Sequence, residues 1–391
     1  MPLKFHQDTI TVPSLQPMTM PKPTSYLQVE HGNIKLPSRP KLILFYTTLW
    51  GGIPWSGFES SDKFNNWGGT QCEVRNCILT YDKNLADKAD VLVFHGFGAD
   101  MVPQEQLRSL SAHRHATQVW IYFVHEPPHT VHPRPVMANG FFNWTMNYRR
   151  DADITTIYNW EWGTWQAIPT NEPRQRIRDY SQGKDRLAYA IIGHCGLFRE
   201  MYIKKLQEYI PIDVYGGCST RYHAEAKICP RNSENCTQIK KRYKFFLAFE
   251  NSFCKDYISE KFYETILDGN VVPVGLGGAD YKSLAIRKSY INALDFDTVE
   301  DLANHLKMLD KNNTAYNEHQ KWRESYKLGK PKAWSCEICR MANEKKLLRK
   351  SYSDLGTWYG EKGCGIHLDR LKSIFEKSAI RGPYKDQYYE M

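Results

Sequence analysis

FENSFCKDYISEKFYETILDGNVVPV, residues 249 to 274, decides the fold. An apolar run, Lys244-Phe245-Phe246-Leu247-Ala248, precedes it and is short enough for a buried strand. Asn251 to Tyr257 reads as a polar turn. Phe262, Tyr263, Ile266 and Leu267 then recur at helical spacing. Gly269 falls just past that segment, where a residue without a β-carbon closes a helix easily. Val271 to Val274 returns as a strand. Strand, loop, helix and strand in this order form a right-handed crossover unit, and ligands bind at loops beyond the carboxyl ends of such strands. The fold class is α/β.

The loop suits an anion beside a sugar. Glu260 and Lys261 open the helix, where free N–H groups and the dipole attract negative charge. Lys261 adds a full positive charge. Glu260 can accept from two sugar hydroxyls, and Asn251 and Tyr257 can donate and accept nearby. A carboxylate for ribose beside a cation for pyrophosphate suggests a nucleotide-sugar site. A solvated Glu-Lys pair on a surface helix is the plain alternative.

The same stretch resembles the signature of the α1,3-fucosyltransferases of glycosyltransferase family 10, invertebrate type. That signature is FENSxxxDYI[ST]EK followed by a helix and a Val-Pro-Val strand, with Ser259 here in the Ser/Thr position. The resemblance runs from about Lys41 to Gly365. It implies the GT-B architecture, two doubly wound Rossmann-like domains facing across a cleft, and GDP-fucose as donor.

A chain of 391 residues is comfortable for two domains. Its net charge of +9 is spread along the chain without a basic stripe, which argues against a nucleic-acid partner. Met1 to Pro40 is proline-rich without amphipathic pattern and reads as a flexible stem. Strands are expected at Lys41–Thr47, Asn76–Tyr81, Ala89–Phe94 and Val119–Val124, and a long loop at Trp50–Gly69. These make a first, acceptor-side domain over 41–172. Asn171 to Asp185 reads as a linker. Arg186–Gly193, the helix Leu197–Tyr209 and the strand Ile212–Tyr215 open a second, donor-binding domain over 186–355, which also holds a helix at Thr298–Asp310. Residues 356–391 form a tail.

The strand Val119–Val124 runs into His125-Glu126-Pro127-Pro128-His129. A carboxylate just past a strand and stiffened by two prolines stands at the cleft. The segment is similar to the family's E-S-P turn, with Pro127 in the Ser position, and the resemblance makes Glu126 the general base. Pairing of Glu126 with a flanking histidine is the alternative. Leu197-Phe198-Arg199 is similar to the family segment whose Arg meets the donor pyrophosphate, although Gly193-His194-Cys195 replaces its S-N-C turn. Donor-binding residues are thus Arg199, Asn251, Tyr257, Glu260 and Lys261. Asp213 to Cys218 is similar to the family's D-V-F-G-x-C near the guanine.

Asp151-Ala152-Asp153 looks like a metal-binding D-x-D, but the neighbouring Arg149 and Arg150 favour structural ion pairs, and no metal ligand is assigned. Histidines 113, 115, 125, 129 and 132 match no helical ligand spacing. With cations on the diphosphate, no divalent ion is strictly required, and Mn or Mg enters only as a stimulator.

The ten cysteines and the sequons at Asn143, Asn235 and Asn312 suit an oxidising lumen. Asn143-Trp144-Thr145 lies in an aromatic segment that a core would bury. A four-thiolate zinc site from Cys72, Cys77, Cys336 and Cys339 is one alternative, and a redox CxxC another. Beside the resemblance, whose CxxC falls near the family's end, long-range staples Cys72–Cys336 and Cys77–Cys339 are expected, with Cys195–Cys254 as a third bridge. The resemblance implies a Golgi-lumen location as a type II membrane protein. No apolar run near the start is long enough to span a bilayer, so any membrane anchor is not visible in this chain.

The resulting expectation is an inverting transferase that moves fucose from GDP-fucose to the 3-hydroxyl of GlcNAc in a glycoprotein N-glycan, at the Asn-linked core. Lewis-type antennal fucosylation, another nucleotide-sugar donor, a non-catalytic glycan-binding protein of the same fold and a zinc-dependent interaction protein are the alternatives.

Overall fold

In the computed structural model, residues 39–131, 138–156, 158, 165–174, 178–230, 233–268, 270–329, 333–344, 350–361 and 363–381 are described. Residues 1–38 of the expected stem, Gly269 and His132 lie outside them. No helix among the described residues is long and apolar enough to cross a membrane.

Two parallel sheets carry the fold, beside two short antiparallel pairs, among the described residues. The first contains β1 (Lys41–Phe45), β2 (Cys77–Thr80), β3 (Val91–His95), β4 (Val119–Phe123), β5 (Trp144–Asn147) and β6 (Ile154–Thr155), in the spatial order β2-β1-β3-β4-β5-β6. The second contains β7 (Arg186–Ile191), β8 (Ile212–Tyr215), β9 (Tyr243–Phe249), β10 (Val272–Leu276) and β11 (Ile291–Asn292), in the order β8-β7-β9-β10-β11. Every pairing within both sheets is parallel. Strands covered on both faces need continuous apolar sequence. VLVFH, VWIYF and YKFFLAF supply it, and all their residues are buried. The chain reverses direction between β1 and β3 in one sheet and between β7 and β9 in the other, and such switch points open crevices at strand ends.

The helix of the opening stretch is α1 (Glu260–Asp268), and it buries Phe262, Tyr263, Thr265 and Ile266 against the second sheet. Each large apolar side chain so buried contributes roughly 2 kcal/mol. A second helix, α2 (Val299–Lys311), is capped by Thr298, whose hydroxyl accepts from Asp301 N at 3.0 Å.

Residues past 328 do not stay with the second sheet. The helix α3 (Trp334–Ala342) buries Trp334, Ile338, Cys339 and Ala342 in the core of the first lobe, beside Phe45, Phe58 and Trp67. Leu355 and Tyr359 follow it there. The helix α4 (Leu368–Lys377) then returns to the second lobe through Leu371, Ile374 and Phe375. At the other boundary, Trp165 packs on Trp322 in the second lobe, with ring centroids 4.7 Å apart. The stretch Trp50–Gly69 is less a free loop than a flap of core, because Trp55, Phe58, Phe64 and Trp67 are buried under it.

All ten cysteines are paired. Cys72–Cys336 and Cys77–Cys339 fasten α3 to the first lobe. The expected Cys195–Cys254 bridge is not formed. Cys195, in the turn after β7, joins Cys218 beyond the adjacent β8. Cys254 leaves the second sheet and joins Cys364, with which it forms a backbone bridge. Cys229–Cys236 completes the set. These bridges rule the four cysteines 72, 77, 336 and 339 out as thiolate ligands. Changing Cys77 and Cys339 together to Ser is expected to cost about 2–5 kcal/mol of stability. Calorimetry without reductant checks this, and an unchanged melting temperature would contradict it.

Candidate active site

Glu126 stands three residues past β4, half-buried, with Pro127 and Pro128 buried behind it. Two tyrosines fix its backbone. Tyr359 donates to the Glu126 carbonyl at 2.5 Å, and Tyr158 donates to the His125 carbonyl at 2.9 Å. Both flanking histidines meet hydroxyl groups. The His125 Nε2 lies 2.6 Å from the Thr156 hydroxyl, and burial pushes its pKa down to about 4, so the ring is neutral at pH 7. The His129 ring meets the Ser252 hydroxyl at 3.1 Å.

The second lobe supplies the opposing wall. Beyond β9, Glu250 is fully buried. It accepts from Ser259 N at 2.8 Å and from the Ser259 hydroxyl. Lys261 Nζ lies 2.9 Å from the Ser259 hydroxyl, 3.5 Å from Glu250 and 3.6 Å from Glu260. The ammonium is thus held at the first turn of α1 by a carboxylate below and another beside it. Glu250 was not singled out from the sequence. An acid at the end of the apolar run YKFFLAF was the available signal, since a buried carboxylate there needs partners.

The two walls feel each other's charge. Burial raises the Glu126 pKa, Glu260 raises it further, Lys261 opposes the shift and Glu250 adds to it. Glu126 thus lies within electrostatic reach of Glu260 and Lys261. Asn251, half-buried, accepts from the Ser252 hydroxyl at 3.2 Å on its rim.

Two expected donor ligands sit differently. Tyr257 is buried in the aromatic core of the first lobe, 5.0 Å from Tyr148 and 5.9 Å from Tyr158 between ring centroids. Burial, then Tyr158, Glu250, Glu126 and Glu260, raise its pKa well above normal, so its hydroxyl stays neutral. Arg199 is buried, 3% exposed. Its guanidinium donates to the carbonyls of Phe249 and His194, each at 3.1 Å. A helix amino-terminus pointed it toward the strand ends, but the free carbonyls closing β9 and the turn after β7 captured it.

Charge crossing joins the lobes at the same loop. Arg150 reaches Asp256 at 3.0 Å, and Lys255 reaches Asp151 at 3.0 Å. Asp256 has a left-handed backbone, φ 60°, held from the opposite lobe. Asp151 also takes both arms of Arg149, at 2.8 and 2.7 Å. Asp153 accepts from Thr145 N and the Tyr352 hydroxyl, each at 2.9 Å, and pairs with Lys350. The D-x-D carboxylates are therefore engaged in ion pairs. Among the described residues, Cys195, Glu200 and Cys218 cluster with metal-ligand spacing, but the two cysteines form a disulfide and Glu200 caps Gly196 N. Of the sequons, Asn235 and Asn312 are exposed. Asn143 is half-buried, and its amide accepts from Trp120 N at 2.9 Å and donates to the Lys350 carbonyl at 2.9 Å.

Two Rossmann-like lobes, each a parallel sheet of this order, have the architecture of the GT-B class of glycosyltransferases. Residues 38–159 match the family description "Fucosyltransferase, N-terminal", and residues 181–358 match "Glycosyltransferase family 10 (fucosyltransferase) C-term". The chain belongs to glycosyltransferase family 10, the fucosyltransferases. It is 31% identical over 353 residues to "Glycoprotein 3-alpha-L-fucosyltransferase A" of Drosophila melanogaster, covering 88% of this chain and 65% of that protein, just under two thirds of the relative's length. It is 28% identical over 345 residues to "Alpha-(1,3)-fucosyltransferase C" of the same organism, covering 82% and 77%. With the human "3-galactosyl-N-acetylglucosaminide 4-alpha-L-fucosyltransferase FUT3" it shares 31% identity over 307 residues, 78% of each chain.

Proposed function

We propose that the protein is a GDP-fucose-dependent α1,3-fucosyltransferase that acts with inversion on a GlcNAc of glycoprotein N-glycans, at the Asn-linked core. The observation that carries this reading is that Glu260 and Lys261, paired at the start of α1, lie close enough to Glu126 to act on its carboxyl. Glu126 accepts the proton of the GlcNAc 3-hydroxyl as that oxygen bonds to the fucose anomeric carbon. The bond from that carbon to the diphosphate oxygen breaks on the opposite face, and GDP leaves with the electron pair. Lys261 stabilises the departing diphosphate, and Arg199 adds positive field from beneath. Glu260 and Asn251 orient ribose or fucose hydroxyls, and Tyr257 lends a neutral hydroxyl. Mn or Mg would act only as a stimulator of this cationic arrangement. A Golgi-lumen location suits the five disulfides.

A glycoprotein acceptor is supported by the name of one Drosophila relative, and the core position is the finer part of the proposal. Incubation with GDP-fucose and a panel of defined N-glycans, with mass spectrometry of the products, tests it. A fucose on the innermost GlcNAc is the expected product. Fucose on antennae alone would favour the Lewis-type reading, and no product with any acceptor would refute the transferase.

A pH dependence follows from the crevice charges. Glu126 works only when ionised, and its pKa is raised by burial and by Glu260. The acid limb of kcat/KM should therefore lie above the ordinary carboxylate range near pH ~4.3. Glu260→Gln removes a negative neighbour and should move that limb to lower pH. A limb unmoved in the variant would show that another group titrates.

A further inference from the structure

Trp50 is 57% exposed, although burying an indole is favourable. Its backbone is left-handed, φ 54°, a conformation that bulky residues avoid. Asp100 imposes both features. That carboxylate, 9% exposed, accepts from Trp50 N at 2.6 Å, from Gly51 N at 3.1 Å and from the Thr48 hydroxyl. It also lies 2.8 Å from His95 Nδ1. The indole stands edge-on to His95 and Phe97, with centroids 4.9 and 4.7 Å away. Gly51 beside it has open space where a β-carbon would stand, so a flat ring can approach. A strained residue whose surroundings over-determine it marks a functional position.

Its place in the fold says what the function is. Trp50 follows β1, and His95 ends β3, the two strands between which the first sheet reverses. Glu126 follows β4, the next strand along. Two strand spacings, roughly 10 Å, separate β1 from β4, about the reach of two linked sugar rings. The nucleotide-binding wall lies on the other sheet. We infer that Trp50 is a stacking platform for a pyranose of the acceptor glycan, next to the sugar whose hydroxyl Glu126 deprotonates, and that Asp100 is the residue positioning it. This rests on the proposed function. Indole and pyranose fit because the sugar's axial C–H groups form an apolar face that meets the electron-rich ring, while its hydroxyls stay in water.

The test compares two acceptors, a core N-glycopeptide and methyl β-N-acetylglucosaminide. Trp50→Ala should lower the glycopeptide-to-monosaccharide ratio of kcat/KM roughly tenfold, through the acceptor KM rather than the donor KM. Trp50→Phe should restore most of the ratio, and Asp100→Asn should lower it as Trp50→Ala does. An unchanged ratio in Trp50→Ala overturns the inference, even if overall activity falls. Saturation-transfer NMR with the glycopeptide and GDP reads the contact without turnover. Sugar protons beyond the acceptor GlcNAc should receive saturation from wild type and lose it in Trp50→Ala, and equal transfer in both overturns the inference. Should wild type fucosylate neither acceptor, the proposed function fails, and the NMR contact alone decides the platform.

Discussion

Glu126→Gln is expected to leave donor affinity intact and to lose turnover by about 10²–10⁴-fold, the range for removing a general base. The amide has nearly the shape of the carboxylate, and the backbone bonds from Tyr359 and Tyr158 do not involve the side chain, so the turn stays in place. What vanishes is the ability to take the proton of a sugar hydroxyl. Lys261, Glu260 and Glu250 remain as they are, so GDP should bind at least as well, because one negative charge near the diphosphate has gone. Calorimetric titration with GDP and kcat at saturating GDP-fucose separate the two quantities. A variant as active as wild type would remove Glu126 from the chemistry.

Lys261→Ala is expected to have the second largest effect, and on a different quantity. The ammonium is held to Ser259, Glu250 and Glu260 and is 21% exposed through its side chain. Its loss removes a charge-assisted contact to the diphosphate, a difference of about 1.5–3 kcal/mol, or roughly 10–100-fold in GDP affinity. Turnover should fall too, since charge builds on the leaving group in the transition state. Lys261→Arg should recover part of both. GDP affinity unchanged in Lys261→Ala, with the melting temperature also unchanged, would place the diphosphate elsewhere.

Much of the scaffold was legible because apolar runs such as VWIYF and YKFFLAF have one low-energy use, as strands covered on both faces. The places of Glu126, Glu260 and Lys261 in the fold were legible because each follows such a strand or opens a helix, where position along the chain sets position in space. β5 was harder. WTMN is fully buried but mixes polar with apolar residues: Thr145 N finds Asp153 eight residues on, and Asn147 accepts from Arg149 N just past the strand. The carbonyls that Arg199 meets were not legible for a related reason: helix position aims a long side chain but does not say what it finds. The pairing of Cys195 with Cys218 depended on which strands are neighbours, a property of strand order rather than of spacing. The same holds for α3, whose amphipathic WSCEICRMA fits either lobe and chooses the first through Cys72 and Cys77.

The path of the last segments has a practical corollary. Because α3, Leu355 and Tyr359 complete the first lobe's cores and α4 the second's, a cut between Tyr359 and α4 strips the second half of its outer layer while leaving the first half's buried residues in place. Neither half is a transferable module: swapping acceptor preference between relatives by exchanging the front part of the chain would also require exchanging α3 and the turn bearing Tyr359, or the graft would arrive without its own lining and without the brace behind its acid.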